Sequence, residues 1–194
     1  MKFFYVLYCS ILYPLIRLFC PCRVYGKDKI PEGAVIVCSN HSSYYDSVML
    51  AIYFGFNKNK LIFMAKAELL KKPFLGAILR SVGTFPVHRD EKTDIQAIRT
   101  AIKHLKNGKK IVMFPEGTRV EQGEYVAAKT GAVRIASKLK VGILPVWLTP
   151  GNKAFSRSAM VIGDPYYIKQ PKDKNFEPIA EELLDKIRKL EPAN

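Results

Sequence analysis

The chain alternates short, almost wholly apolar runs, each closed by a polar or glycine-containing turn, with segments of helical length and spacing. A strand that is apolar at successive positions needs cover on both faces, and the common cover is a layer of helices on each side of a parallel sheet. AVIVCS (34–39), KLIFMA (60–65), KIVMF (110–114), ILPVWL and SAMVIG read as such strands. TFPV (84–87) reads as a short edge strand, because Pro86 has no ladder N–H to donate. Between them, 43–55, 93–108, 130–140 and 177–190 carry helical spacing, two of them closed by glycine. KAELLKKPFLGAILRSVG contains Pro73 and Gly76, which predicts two short helical pieces rather than one. VYGKDKIPEG reads as a polar connection. The expectation is one α/β domain with a mixed, mostly parallel sheet flanked by helices. At 194 residues and 22.0 kDa the chain is long enough for a single core, and it shows no internal repeat or linker.

Ahead of this pattern lies a different segment, FFYVLYCSILYPLIRLFC, which is apolar on nearly every side. Its length is at the lower limit for crossing a bilayer. Pro14 removes a helical hydrogen bond and Arg17 places a charge in the last turn, so the expectation is a broken helix lying in or dipping into one leaflet. No small-residue cleavage site follows it; Pro21 and Arg23 stand there instead. Residues 1–22 are therefore read as a membrane-associating helical segment and 23–194 as the folded domain.

Charge narrows the partners. The 31 Lys and Arg against 17 Asp and Glu leave +14, which favours anionic ligands and surfaces. The basic residues are scattered rather than grouped into a nucleic-acid-binding module, so an anionic membrane is expected and nucleic acid is not. Four cysteines, Cys9, Cys20, Cys22 and Cys38, sit mostly in apolar runs, with spacing suited neither to a disulfide framework nor to a metal site; reduced structural thiols are expected, and no metal.

Two segments carry chemistry. Asn40-His41-Ser42-Ser43-Tyr44-Tyr45-Asp46 follows the first buried strand. His41 and Asp46 are five apart, roughly 140° on an ideal helix, so His41 should lie in the turn before the helix, with Ser42 or Ser43 as cap. Asp46 can then turn back to the imidazole, set its tautomer and leave the other nitrogen as a general base. Phe114-Pro115-Glu116-Gly117-Thr118-Arg119 ends another buried strand, where α/β sheets place ligands. There Glu116 offers an acceptor for a hydroxyl, and Arg119 a fork of donors suited to phosphate. A third strand end, Gly83-Thr84-Phe85-Pro86-Val87-His88-Arg89, adds Arg89 as a second candidate anion ligand.

Together these segments resemble the four motifs of the glycerolipid acyltransferase family, whose bacterial 1-acyl-glycerol-3-phosphate acyltransferases are its small members. NHSSYYD resembles the first motif, GTFPVHR the second, FPEGTR the third without change and ILPVWL the fourth, over roughly residues 24–168. Lys66-Ala67-Glu68-Leu69 with Pro73 and Gly76 resembles the segment between the first two. Val120, Ala128-Lys129 and His88 depart from the commonest family residues, and bear on the acceptor more than on the reaction.

The resemblance implies His41 as general base and Asp46 as its orienting partner. It implies Lys66, Arg89, Glu116, Gly117, Thr118 and Arg119 as acceptor-binding residues. It further implies transfer of an acyl group from acyl-CoA or acyl-acyl carrier protein, as co-substrate and with no cofactor, to the sn-2 hydroxyl of lysophosphatidic acid. The product would be phosphatidic acid, formed at the cytoplasmic face of the cell membrane by a monotopic or peripheral protein. A thioester is already activated, so one base suffices, and no Gly-x-Ser-x-Gly elbow argues for an acyl-enzyme. Another lysophospholipid acceptor, a lipid hydrolase without its nucleophile motif, and a non-enzymatic basic membrane-binding protein are the alternatives.

Overall fold

The computed structural model describes residues 2–55, 59–88, 94–121 and 124–192. A six-stranded sheet has the order β1 (Cys22–Tyr25), β8 (Ser158–Ile162), β7 (Gly142–Leu148), β2 (Val35–Ser39), β6 (Lys110–Met113), β3 (Leu61–Ile62). All neighbours are parallel except β7 and β8. Strand β2 is buried throughout because its two faces meet different helix layers. Ile36 and Cys38 face α5 (Ile95–Lys106), α6 (Gly131–Leu139) and α7 (Glu177–Arg188), in a cluster with Ala101, Val133 and Leu183. Val35 and Val37 face α1 (Lys2–Phe19) and α2 (Tyr45–Tyr53), in a cluster with Tyr5, Met49 and Leu50. The period-two alternation of a strand thus divides one continuous apolar run between two cores.

The elements largely follow the sequence pattern, with three differences. KLIFMA is not one strand: β3 pairs with β6 over two residues, then the chain leaves, and β4 (Met64–Lys66) pairs with β5 (Phe85–Val87) in a separate parallel ladder. A continuous apolar run gives no sign of such a change of partner. The polar connection hides β1, an edge strand whose Cys22 and Val24 are half-buried while Arg23 and Tyr25 point out. Two inward residues in four are too few for a periodicity argument. Between α3 (Ala67–Lys71) and α4 (Pro73–Ser81) the break falls at Lys72, before the proline, as the residue preceding a proline favours. Gly76 lies inside α4, where a Cβ would collide with the Leu70 carbonyl; the glycine lets α4 fold back on α3.

The third difference is the leader. Rather than breaking at Pro14, α1 runs unbroken from Lys2 to Phe19. Proline deletes one N–H donor, and packing along a whole face of the helix outweighs that loss. On this face Tyr5 and Cys9 are buried, Tyr13 and Ile16 are partly buried, and the Tyr53 hydroxyl donates to the Cys20 carbonyl at 2.9 Å. The opposite stripe, Phe3, Leu7, Ile11, Leu15 and Leu18, is exposed. No helix among the described residues is long and apolar enough to cross a membrane. The division drawn at residue 22 falls on the first residue of β1.

A leader that is built into the core on one side only has a measurable signature. Tyr5→Ala should destabilise the protein by about 3–5 kcal/mol, as truncating a buried aromatic does. Leu18→Ala, at 72% exposure, should stay within about 0.5 kcal/mol of wild type. Urea unfolding of the two variants checks this, and equal small shifts would mean that α1 does not belong to the core.

Candidate active site

The site forms where β2, β6 and β7 end side by side. Asn40 follows β2 and continues its pairing with side-chain atoms: Nδ2 donates to the Leu148 carbonyl and Oδ1 accepts the Leu148 N–H, both at 2.8 Å. This two-point clamp fixes the departure of the chain into His41. Helix α2 starts only at Tyr45, so His41 does lie in the turn before it.

Asp46, in the first turn of α2, is fully buried. Its Oδ2 accepts the N–H groups of Ser42 and Ser43, each at 2.7 Å, and lies 3.0 Å from His41 Nδ1. Its Oδ1 accepts from Asn152 Nδ2 at 3.2 Å. A carboxylate only accepts, so His41 Nδ1 carries the proton and Nε2 keeps its lone pair. The serines do not cap α2 from the expected positions; the cap residue is Tyr44, whose side chain makes no capping hydrogen bond. Instead Ser43 Oγ accepts the Tyr45 N–H and donates to the Asn152 carbonyl, and Ser42 Oγ accepts the Gly151 N–H. Both hydroxyls tie the motif to the segment after β7.

The turn after β6 closes over His41 from the other side. The Phe114 ring stacks on the imidazole at 4.0 Å between centroids and 16° between planes. Glu116 Oε2 accepts the His41 N–H at 2.7 Å, and the Val120 N–H donates to the His41 carbonyl at 2.9 Å. Glu116, expected to meet a substrate hydroxyl, holds the backbone of the histidine through Oε2. Gly117 takes φ 72°, a left-handed conformation suited to glycine, and a Cβ there would press on the Lys129 side chain at 3.0 Å.

Beyond it Thr118 and Arg119 are exposed, and the Arg119 guanidinium lies 3.4 Å from the centroid of the Tyr44 ring. A planar cation over an aromatic face at that distance is a cation–π contact that orients the fork. Lys66 ends β4 in the smaller sheet and pairs with Glu68 at 3.8 Å. Among the described residues it makes no hydrogen bond or ion pair to His41, Asp46 or the 115–120 turn. Arg89 lies outside the described residues. His88, just before it, follows β5; its N–H donates to Asp94 Oδ2 at 2.7 Å and its Nδ1 lies 3.0 Å from the same oxygen.

Asn40, Phe114 and Asn152 are positioning residues that sequence reasoning missed. Asn40 and Phe114 stand inside the two motifs and could have been questioned there. Asn152 lies 106 positions from Asp46, in a segment with no motif.

Burial pushes the Glu116 carboxyl up from 4.5 to about 7, with the Asp46 charge adding to it and the His41 N–H acting against it. Between those values native Glu116 keeps a proton that the unfolded chain has lost, so its contribution to stability falls as pH rises through this window. Glu116→Gln keeps an acceptor for the His41 N–H but cannot ionise. Its urea midpoint should decline less with pH over that window than that of wild type; parallel profiles would contradict the assignment.

The chain matches the family model "Acyltransferase" over residues 21–149, a span that holds every candidate site residue but not Asn152. It is 33% identical over 180 residues to the 1-acyl-sn-glycerol-3-phosphate acyltransferase of Bacillus subtilis, covering 87% of each chain. To the enzyme of that name from Streptococcus pneumoniae it is 32% identical over 178 residues, 86% of this chain and 65% of the relative. In three dimensions it is similar to the 1-acyl-sn-glycerophosphate (LPA) acyltransferase PlsC from Thermotoga maritima, with a TM-score of 0.69 at 25% identity over 100% of this chain and 79% of the other. A family model spanning most of the folded domain, relatives above 30% identity over nearly the whole chain, and a shared fold agree: the chain belongs to the acyltransferase family.

Proposed function

We propose that the protein transfers a fatty acyl group from an acyl thioester, acyl-CoA or acyl-acyl carrier protein, to the sn-2 hydroxyl of 1-acyl-glycerol-3-phosphate, yielding phosphatidic acid for phospholipid synthesis. The observation that carries this reading is the His41–Asp46 pair, 3.0 Å apart and clamped from both sides, in a chain of this family. His41 Nε2 takes the hydroxyl proton as the oxygen attacks the thioester carbonyl. The C–O bond forms, the C–S bond breaks, and the imidazolium returns its proton to the departing thiolate. Asp46 stabilises the imidazolium while it exists and keeps the ring in the productive tautomer. The phosphate of the acceptor is bound by Arg119, already oriented by Tyr44, with Lys66, Arg89, Gly117 and Thr118 as further acceptor-binding residues. Glu116 serves this site through the histidine backbone. The exposed stripe of α1 seats the enzyme in one leaflet as a monotopic protein, on the cytoplasmic side from which a CoA or carrier-protein donor arrives.

His41→Ala should lower turnover by about 10² to 10⁴-fold with little change in acceptor KM, followed as acceptor-dependent thiol release. Near-normal turnover in the folded variant would refute the base assignment. Arg119→Lys keeps the charge and loses the fork, and should raise KM for a phosphorylated acceptor while sparing a dephosphorylated one. Identical effects on both acceptors would remove Arg119 from phosphate binding.

The anchor is best tested by substitution, since deleting the leader would also remove Tyr5 and Cys9 from the core. Ile11→Glu with Leu15→Glu should release the protein from phosphatidylcholine vesicles in flotation without lowering its unfolding midpoint. Undiminished flotation would mean that α1 is not the anchor.

A further inference from the structure

A second cavity lies away from His41. It is a groove of about 810 Å³ along the outer edge of the main sheet, bounded by the C-terminal half of α1, by β1 and by the start of β8. Four cations line it, Arg17, Arg23, Lys27 and Arg157, together with the rings of Tyr13 and Tyr53. No acidic side chain lines it, and among the described residues none of the four forms an ion pair. Arg17 is held in place by a 2.8 Å bond from Nη1 to the Tyr13 hydroxyl. Four positive charges around one cavity without a counter-charge raise the local potential and repel one another, an arrangement that an anionic ligand relieves.

The position of the groove selects the ligand. Arg17 is two residues from Phe19, and Arg157 two residues from Phe155; these phenylalanines meet edge to face at 5.3 Å and are both exposed. Arg17 and Arg157 therefore lie at the C-terminal end of α1, where Leu18, Phe19 and Phe155 are exposed. When the exposed stripe of α1 lies at acyl-chain depth, cations one side chain away stand at headgroup level. The geometry points to this groove as a binding site for the headgroup phosphate of an anionic glycerophospholipid, separate from the acceptor site because neither His41 nor Asp46 lines it. The proposal rests on the reading of α1 as a surface anchor. Such a site would orient the enzyme on the leaflet with the end of the sheet that carries His41 turned towards the lipids.

The test compares the intact protein with the variant Arg17→Gln/Arg23→Gln/Arg157→Gln, and with a control of equal charge loss, Lys138→Gln/Lys169→Gln/Lys172→Gln, at exposed positions outside the groove. Each is floated with vesicles of phosphatidylcholine alone or with equimolar phosphatidylglycerol. The groove variant should lose the preference for the anionic vesicles by roughly a hundredfold, while the control changes it by no more than about threefold. Binding to neutral vesicles and turnover of a water-soluble acceptor should be unchanged in the groove variant. Equal losses in the two variants would show that only the diffuse charge of the protein matters, and would overturn the proposal.

If the intact protein fails to bind neutral vesicles, the anchor reading falls, and a second measurement still decides the groove. Monomeric dihexanoyl-phosphatidylglycerol, inorganic phosphate and acyl-CoA are titrated separately into the intact protein and the groove variant by calorimetry. The lipid should bind the intact protein at least about tenfold more tightly than the variant. Equal lipid affinity in the two proteins would refute the site. Phosphate or acyl-CoA binding as tight as the lipid, and lost with the same substitutions, would refute its assignment to a lipid.

Discussion

A single buried carboxylate organises the functional end of this molecule. Asp46 has no exposed surface, so every lone pair that faces the interior needs a donor, and a shortfall would be expensive. The donors come from places the chain has to bring together: two backbone amides of the preceding turn, the side chain of Asn152 and the imidazole of His41. Satisfying Asp46 thus folds the turn after β2, draws in the segment after β7 and sets the orientation of the histidine in one step. The turn after β6 completes the enclosure by stacking Phe114 on the ring and by holding the His41 backbone at both its N–H and its carbonyl.

The sheet makes this meeting possible. Because β2, β6 and β7 run parallel and in register, their C-terminal ends present three loops at the same height, and NHSSYYD and FPEGTR occupy two of them. The two helix layers cover the faces of the sheet and leave this edge open. Pro145, inside β7, sits where the neighbouring β8 has just ended its pairing, so the strand tolerates a residue without an N–H. Gly163 donates to its carbonyl at 2.9 Å as β8 departs, and the pairing resumes on the far side as a bridge between Ile143 and Tyr166.

Much of this was legible in the residues. Continuous apolar runs such as AVIVCS announce a sheet covered on both faces, and a histidine five residues before an aspartate at a strand–helix junction announces the turn that joins them. What escaped has physical causes. KLIFMA changes ladders halfway, and an apolar run carries no mark of which neighbour it will pair with. In β1 the inward residues are only Cys22 and Val24. The proline in α1 reads locally as a break, but the cost of one missing hydrogen bond is set against tertiary packing of Tyr5 and Cys9 that no local rule sees. Asn152 is hidden for the same reason, since its importance arises entirely from a partner more than a hundred positions away.

Asp46 imposes one tautomer on neutral His41, with the proton on Nδ1 and a free lone pair on Nε2. Nitrogen NMR of the protein labelled at its three histidines reads this directly, with the His41 signals identified by their loss in His41→Gln. At a pH where the ring is neutral, Nδ1 should be protonated and Nε2 unprotonated and of pyridine type, with a mixture of tautomers once Asp46 is changed to Asn. A proton on Nε2 in the wild-type protein, or no response to Asp46→Asn, would contradict this assignment.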